Sequence, residues 1–557
     1  TDGFQSSNRG SIPRGTAKIR KIMTSLKKYI YFSLLILPTI SLVGGMWQGQ
    51  YINDGYHWGF IFSNAIDIID GKLPYKEIFI QYGILSTLIH AFILIIFDKN
   101  IFSLIAFTCL LYSLSIYIIG VLTYRFTLNK YYSLFSTFVI FAIYPWPTSP
   151  WPNFISFFFI VLFCLFYSCN KKIYYILSGI SLAFAYLSLT LTYNYIVVSF
   201  LLILLFFIFL LRKRLDYIFI QKNIYFFIFF LLTTSIFFFF LLQNNIFDIW
   251  LTYQKIPFIL ADNYEISISS KIIDYIYFIT IYSLKNFINE PQWILFTFIF
   301  FSNLYLLFKL TLDLFKEKTH FKTKMDLLVI NILIFTLNFQ AQVGGIEKLA
   351  TSLSLGIITL LILVHSLKSS DNKIIINFSI IFIIIYSVFF AFDINDSKRA
   401  GSRAIHLRDL KNIDEKYNDK SISYFNLQKW SRNTWYPLNN FVELQNKIKK
   451  KCYLEFGANL TSNTFYYALL DFKKIQLVPF LQKTHSQTWR KHFEPNLIYE
   501  LQREINNNNI LIISFENNDK LLNLANYSPP KKIDLNINSD LVKEFLYIYY
   551  PKKCEAI

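Results

Sequence analysis

IFSLIAFTCLLYSLSIYIIGVLTY, residues Ile101–Tyr124, runs its whole length without a charged side chain. A helix needs roughly 20 apolar residues to cross the hydrocarbon layer of a bilayer, so this stretch reads as a membrane span. Working outward, ten more runs read the same way: Tyr29–Gln48, Tyr131–Trp146, Asn153–Ser168, Ile173–Thr190, Tyr193–Leu211, Ile224–Leu242, Gln292–Leu310, Leu327–Gln342, Leu349–Leu367 and Ile374–Phe392. A further run, Ile84–Phe97, is short. The composition agrees, with 54% hydrophobic residues, a mean hydropathy of +0.40 and only 16% charged residues in a chain of 557. So few charges cannot cover a soluble surface, which excludes a soluble enzyme, a disordered chain and a fibrous repeat.

Charge sets the orientation. The net +19 is not a nucleic-acid signature here, because cations flanking apolar spans set topology and touch anionic membrane lipid. With eleven crossings and a cytoplasmic N-terminus, Lys171-Lys172, Arg212-Lys213-Arg214 and the Lys316–Lys324 cluster all face the cytoplasm. Letting Ile84–Phe97 cross as well would turn these clusters outward, against the positive-inside bias. That run is therefore expected to be a half-buried helix on the outer side. The sequence divides into a disordered cytoplasmic arm or expression remnant (1–28), a transmembrane domain (29–392) with outer loops 49–100 and 243–291, and an extracytoplasmic tail (393–557). This is the layout of a multi-pass protein of the bacterial inner membrane with its tail in the periplasm.

The tail predicts a small α/β domain: strand Lys451–Phe456, helix Ser462–Leu470, strand Ile475–Pro479, helix Asn496–Ile505, and strands Asn509–Phe515 and Glu544–Tyr550. Cys109, Cys164 and Cys169 fall in apolar runs as small core residues. Cys452 and Cys554 are free to pair if the tail faces an oxidising compartment, although spacing alone does not decide it. In the first outer loop, Tyr56–Asp70 plots as an amphipathic helix lying flat on the membrane. Ser63, Asn64, Asp67 and Asp70 would form its wet side, and Gly71 and Pro74 would end it. Ile272–Phe287 is rich in Tyr and Ile and is expected to lie in the interface too.

The stretch richest in chemistry is Asn53-Asp54-Gly55-Tyr56-His57-Trp58-Gly59, then Gly71-Lys72-Leu73-Pro74-Tyr75-Lys76-Glu77 and Gln81-Tyr82-Gly83. An acid just past the outer end of the first span, an interfacial helix, Gly-x-x-Pro-Tyr, and Tyr-Gly before a half-buried helix resemble the GT-C superfamily of membrane glycosyltransferases. The likeness is best over Thr39–Arg125, moderate over the other spans and only outlined in the tail. It implies a GT-C-like fold and an inverting transfer of a sugar from a polyprenyl-phosphate donor to a hydroxyl of a cell-surface glycan, lipid or protein. It also implies Asp54 as the general base. An ordinary carboxylate, with a pKa of about 3.9, is charged at neutral pH and can take the acceptor's proton. Asp54 also stands where a helix cap would. Gly55 follows it where many relatives carry a second acid, which argues against a metal ion, so no cofactor is expected.

The other candidates bind substrate. His57 lies one turn after Asp54, close enough to orient it or to touch the acceptor, or else is a polar rim residue. Tyr82 belongs to the Tyr-Gly motif. For the leaving phosphate the candidate cations are Arg403, Arg399 and Lys348, the last beside Glu347 in a turn where some relatives carry Arg-x-Asp-x-x-His. These cations equally suit lipid headgroups or snorkelling. The turn Pro145-Trp146-Pro147-Thr148-Ser149-Pro150-Trp151-Pro152 is rigid and suits either a cavity wall or a plain connection. Two rivals stand beside this reading: an O-antigen-type polymerase or ligase, and a lipid or glycan transporter. The transporter is disfavoured because the spans read as almost free of charges at midplane depth.

Overall fold

The computed structural model describes residues 30–49, 51–52, 55–78, 80, 82–147, 149–212, 215, 217–251, 291–316, 321–339, 346–367, 417–418, 429–431, 452–459, 473–475, 501–514, 523–534 and 545–554, with single positions at 254, 273, 276–277, 280–281, 382, 385, 446 and 499. Most of these residues are helical. Among the described residues, five helical segments are long and apolar enough to cross a membrane: Ile30–Trp47, Phe102–Thr127, Tyr193–Leu210, Tyr217–Gln243 and Leu295–Lys316. Helices bounded within the described residues are α1 Ile36–Gln48, α2 Gly55–Ile69, α3 Ile84–Ile96, α4 Phe102–Thr127, α5 Lys130–Ile143, α6 Pro152–Tyr167, α7 Lys172–Ser188, α8 Thr190–Leu210, α9 Tyr217–Gln243, α10 Pro291–Lys316, α11 Phe321–Asn338 and α12 Ile346–Leu367, and 501–506 are helical too. Each apolar run named above, apart from Ile374–Phe392, coincides with one of them.

Local chemistry sets several boundaries. The Asn129 side chain accepts hydrogen bonds from the Tyr131 and Tyr132 amides and starts α5. Just before it, Leu128 ends α4 in the left-handed conformation. Pro152 opens α6 at a position where no intrahelical N–H is needed. Only Leu189 separates α7 from α8, so the connection between these two runs is tighter than the sequence suggests. In the helical core α6 packs on α7, α7 on α9, and α10 on both α11 and α12. Bulky aromatics such as Phe163, Tyr167 and Phe226 interlock at the α6–α9 contact.

One feature of the helical body goes beyond the sequence reading. Lys222 on α9 and Asp326 on α11 form a buried ion pair at 2.5 Å, and the ammonium also sits 4.1 Å from the centre of the Tyr167 ring. Charge inside the helical body is therefore present. The two residues stand just before the apolar runs Ile224–Leu242 and Leu327–Gln342, where a lone cation or carboxylate reads as a headgroup contact.

The tail holds a five-stranded sheet of β4 Phe456–Asn459, β5 Lys473–Ile475, β6 Ile510–Ser514, β7 Lys531–Asp534 and β8 Phe545–Tyr549, in the order β5-β4-β6-β8-β7. β4 runs parallel to β5 and β6, and β8 runs antiparallel to β6 and β7. The central strand β6 is buried throughout and sorts its side chains by the two-residue period of a strand. Leu511 and Ile513 join Trp58, Ile61, Phe62 and Ala65 of α2 in one core. Ile510 and Ile512 pack with Leu501, Ile505, Tyr527 and Tyr549 on the other face. Cys452 and Cys554 are joined by a disulfide, with Cα atoms 5.4 Å apart across 102 residues of sequence.

Strand boundaries depart from expectation. The strand expected at Lys451–Phe456 begins only at Phe456, β5 begins two residues before the strand expected at Ile475–Pro479, whose remaining residues lie outside the described ones, and β7 was not foreseen. The sequence Lys-Lys-Ile-Asp has no apolar alternation, because β7 is an edge strand whose charges discourage further pairing. The expected helix Ser462–Leu470, and nearly all of Ile272–Phe287 and Ile374–Phe392, lie outside the described residues.

A second, smaller sheet ties the tail to the segment between α1 and α2. β1 Tyr51–Ile52 runs parallel to β3 Lys429–Ser431, which pairs antiparallel with β2 Tyr417–Asn418. Tyr51 lies opposite Lys429 and Ile52 opposite Trp430.

Candidate functional site

The first outer loop leaves β1 and enters α2, and here a sequence expectation is overturned. Ser63, Asn64 and Asp67 are not a wet face; they are 2%, 5% and 0% exposed, and only Asp70 reaches solvent. The apolar side of α2 is sealed by the tail sheet and by Ile101, Leu104 and Ile105, while Phe60 joins the core of the helical body. α2 is therefore enclosed on both sides rather than lying flat at the interface. Its amphipathic pattern is compatible with either placement, and the sheet that packs on its apolar side lies more than four hundred and forty residues further along the chain.

A buried carboxylate requires compensation, and Asp67 receives it from Lys72, whose Nζ lies 2.9 Å from Oδ1. The Asp67 carbonyl also accepts the Lys72 amide, at 3.0 Å. The pair folds the Gly71-Lys72-Leu73-Pro74-Tyr75 segment into a hook. Gly71, at φ +82°, makes the reversal that other residues rarely make. The Glu77 carboxylate then accepts the Leu73 amide at 2.6 Å. Tyr75 is buried and holds φ 65°, an unusual backbone for a bulky residue, with its amide donating to the Ile78 carbonyl and its ring against Phe237 of α9. Such outliers gather at functional sites, where the surroundings enforce them.

Because Asp67 has no exposed surface while Lys72 keeps about a quarter of its own, the two partners differ in how well they tolerate loss. Lys72→Met removes the cation beside a buried carboxylate and should destabilise the protein by about 3–5 kcal/mol. Asp67→Asn should cost less, because the lysine can turn toward water. Thermal unfolding of the two purified variants, compared with wild type, reads the difference; equal losses contradict this asymmetry.

After the hook the chain passes Tyr82-Gly83. Tyr82 is half-buried, its ring meets Phe60 and Trp151 edge-on at 6.3 and 5.4 Å, and its carbonyl accepts the Thr190 hydroxyl at 3.1 Å. At Gly83 the chain runs against the backbone of Leu187 and Ser188 so closely that a Cβ would have no room. The segment between α2 and α3 is thus fastened to the start of α6, the end of α7 and the start of α8 by Trp151, Ser188 and Thr190. On α3, His90 is fully buried, and burial pushes its pKa down to about 3, so the ring is neutral at physiological pH. α3 is buried on one side within the protein, with Phe92 and Ile95 exposed and Ile93 and Leu94 covered.

The predicted residues fall as follows. Tyr82 stands at the junction of the loop with the helical body. The backbone of His57 is in the first turns of α2, and those of Glu347 and Lys348 are in the first turn of α12, with all three side chains outside the described residues. Asp54, Arg399 and Arg403 also lie outside the described residues, although β1 ends two residues before Asp54. The sequence reading missed the Asp67–Lys72 pair. An acid and a lysine five apart, bracketing a helix-ending glycine, is the pattern that carries it. Among the described residues, no three His, Cys, Asp or Glu side chains converge.

No protein-family model and no curated protein matches the chain. The functional reading rests on its residues.

Proposed function

We propose that this chain is a GT-C-like glycosyltransferase, crossing the bacterial inner membrane eleven times, that moves one sugar from a polyprenyl-phosphate donor to a hydroxyl of a cell-surface glycan, lipid or protein on the periplasmic side. The observation that carries the reading is the pairing of Tyr51–Ile52 with Lys429–Ser431. It fixes the strand leading to Asp54 against the tail, and α2, which follows Asp54, is sealed between the tail sheet and the helical body. A carboxylate at that junction would border both the membrane, from which a prenyl-linked donor arrives, and the aqueous side that supplies an acceptor. The Cys452–Cys554 disulfide supports an oxidising compartment for the tail.

In the proposed reaction the acceptor oxygen attacks the anomeric carbon as the bond from that carbon to the phosphate oxygen breaks. Asp54 takes the acceptor's proton, and the polyprenyl phosphate leaves with the bonding electron pair. Attack opposite the leaving group inverts the configuration. His57 would orient Asp54 or the acceptor, while Lys348, Arg399 and Arg403 would steady the departing phosphate with Glu347 alongside. No cofactor is required. The prenyl chain would lie in an apolar groove between spans, since each CH₂ withdrawn from water contributes about 0.8 kcal/mol.

The phosphate assignment is tested with Arg403→Ala, Arg399→Ala and Lys348→Ala at limiting donor. At least one should lower transfer strongly, because a departing phosphate dianion left uncompensated in a partly dry site is costly. Full activity in all three moves the phosphate elsewhere, to the 243–291 loop and Lys255. Transfer from a polyprenyl monophosphate sugar also separates this reading from a polymerase or ligase, and from a transporter that leaves the donor intact.

A further inference from the structure

We propose that the Cys452–Cys554 disulfide is a maturation lock: the tail sheet docks on α2 only after a thiol–disulfide oxidant has joined the two cysteines. The inference concerns assembly and stands apart from the transferase reading. Both cysteines belong to the core that the tail shares with α2, and they are 9% and 1% exposed. Among the described residues the tail gives that core six buried side chains: Cys452, Leu454, Leu511, Ile513, Ile548 and Cys554. Two of the six form the crosslink.

The crosslink closes one end of the sheet. The Glu455 and Phe456 amides donate to the Asn509 carbonyl, so the chain leaving Cys452 enters β4 beside the start of β6. At the same end β8, antiparallel to β6, runs out through Tyr549 to the short helix Lys552–Cys554. The Lys552 amide holds that helix by donating to the Asn526 carbonyl. All five strands thus lie within the stretch that the disulfide spans, 102 residues of sequence. The face of the sheet turned away from α2 has a core of only seven buried residues among the described ones, so the sheet relies on the crosslink and on α2 for the rest. Closing a loop of about 100 residues restricts the unfolded chain and shifts the balance toward the folded form by roughly a thousandfold.

Burial fixes the order of events. Exchange requires a thiolate to reach a sulfur of the oxidant's disulfide, and residues covered this well offer a protein oxidant no approach, so oxidation precedes docking. The thiolate of one tail cysteine attacks the oxidant's disulfide and expels one of its sulfurs. The second tail cysteine then attacks the mixed disulfide, forms the Cys452–Cys554 bond and releases the oxidant as a dithiol. Two electrons and both thiol protons leave the tail. Cys109 reaches the same core from α4 but takes no part, because its Sγ packs against Gly45 of α1 and the Pro147 carbonyl. Until the lock closes, Trp58, Ile61 and Phe62 of α2 lack the cover of Leu511, Ile513 and Ile548. Once it has closed, α2 shelters the bond from reductants.

The test uses the full-length protein in detergent and follows amide hydrogen exchange by mass spectrometry. Cys452→Ala/Cys554→Ala should raise exchange over Gly55–Ile69 by at least about tenfold, within the roughly thousandfold that the crosslink supplies. Exchange in α6 and α7 should stay at the wild-type level, which separates undocking from general unfolding. Wild type reduced in urea and returned to buffer should regain α2 protection with oxidised glutathione and not without it; this arm decides the matter when the double variant fails to accumulate. Dithiothreitol added to docked wild type should leave the bond intact until urea is added. The lock is overturned by wild-type α2 protection in the double variant or in the reduced protein, or by dithiothreitol opening the bond of docked protein without urea. Loss of protection in α6 and α7 to the same extent as in α2 also overturns it, since the disulfide would then support the whole chain. Sugar transfer plays no part in the readout, so failure of the transferase reading leaves the lock standing.

Discussion

Replacing Asp54 with Asn should lower sugar transfer by about 10²–10⁴-fold, the usual contribution of a positioned general base, while the protein stays folded. The substitution keeps the size and most of the hydrogen-bonding shape of the side chain but removes its capacity to take a proton. Asn is also as good a helix cap as Asp, so α2 should start as before and the cap reading predicts no loss. The two roles therefore separate in one variant. The reason to expect the larger effect is positional: the strand ending two residues before Asp54 is held by Lys429–Ser431 of the tail, and the helix after it is enclosed rather than free at the interface. Initial rates of transfer, with melting temperature as the control for folding, decide between them. Near-normal rates from a well-folded Asp54→Asn protein return Asp54 to the role of a cap.

The second large effect concerns stability. Lys222 and Asp326 are 1% and 8% exposed in their side chains and lie 2.5 Å apart. Around them Tyr167 offers its ring face to the ammonium and donates its hydroxyl to Asn223. Removing one partner leaves a charge in a dry interior, so Lys222→Met and Asp326→Leu should each destabilise the protein by about 3–5 kcal/mol. The double variant Lys222→Met/Asp326→Leu should recover most of that loss, because apolar groups of similar volume often replace a buried ion pair at little cost. Unfolding of the two singles and the double completes a mutant cycle whose coupling energy should be several kcal/mol. Additive losses, with no recovery in the double variant, contradict a direct pair.

The contrast between these two sites shows what the sequence made legible. Membrane spans are readable because length and apolarity are local properties: α4 needs nothing outside Ile101–Tyr124 to announce itself. The hydrophobic side of α2 was equally plain. What the sequence did not show was that Ser63, Asn64 and Asp67 are covered, since an amphipathic pattern does not say what packs on its polar side, and for Asp67 the partner is Lys72 of the hook that follows. Lys222 and Asp326 are 104 residues apart, and each alone resembles an ordinary headgroup contact. In the tail, β6 and β8 were foreseen because their apolar character is strong, whereas the edge strand Lys531–Asp534 carries charges that mask it. The hook at Gly71–Tyr75 was visible as a motif, but its left-handed Tyr75 was not, because no local preference favours that conformation for tyrosine.

The measurement that bears most directly on the transferase account is made on wild-type protein reconstituted into liposomes with a panel of radiolabelled polyprenyl-phosphate sugars and an extract of envelope glycans and lipids. The account predicts that label from at least one donor moves to a water-soluble or lipid-linked glycan, with free polyprenyl phosphate appearing in equal amount and the anomeric configuration inverted. Label that remains on the prenyl phosphate with every donor, in protein shown to be folded, contradicts it.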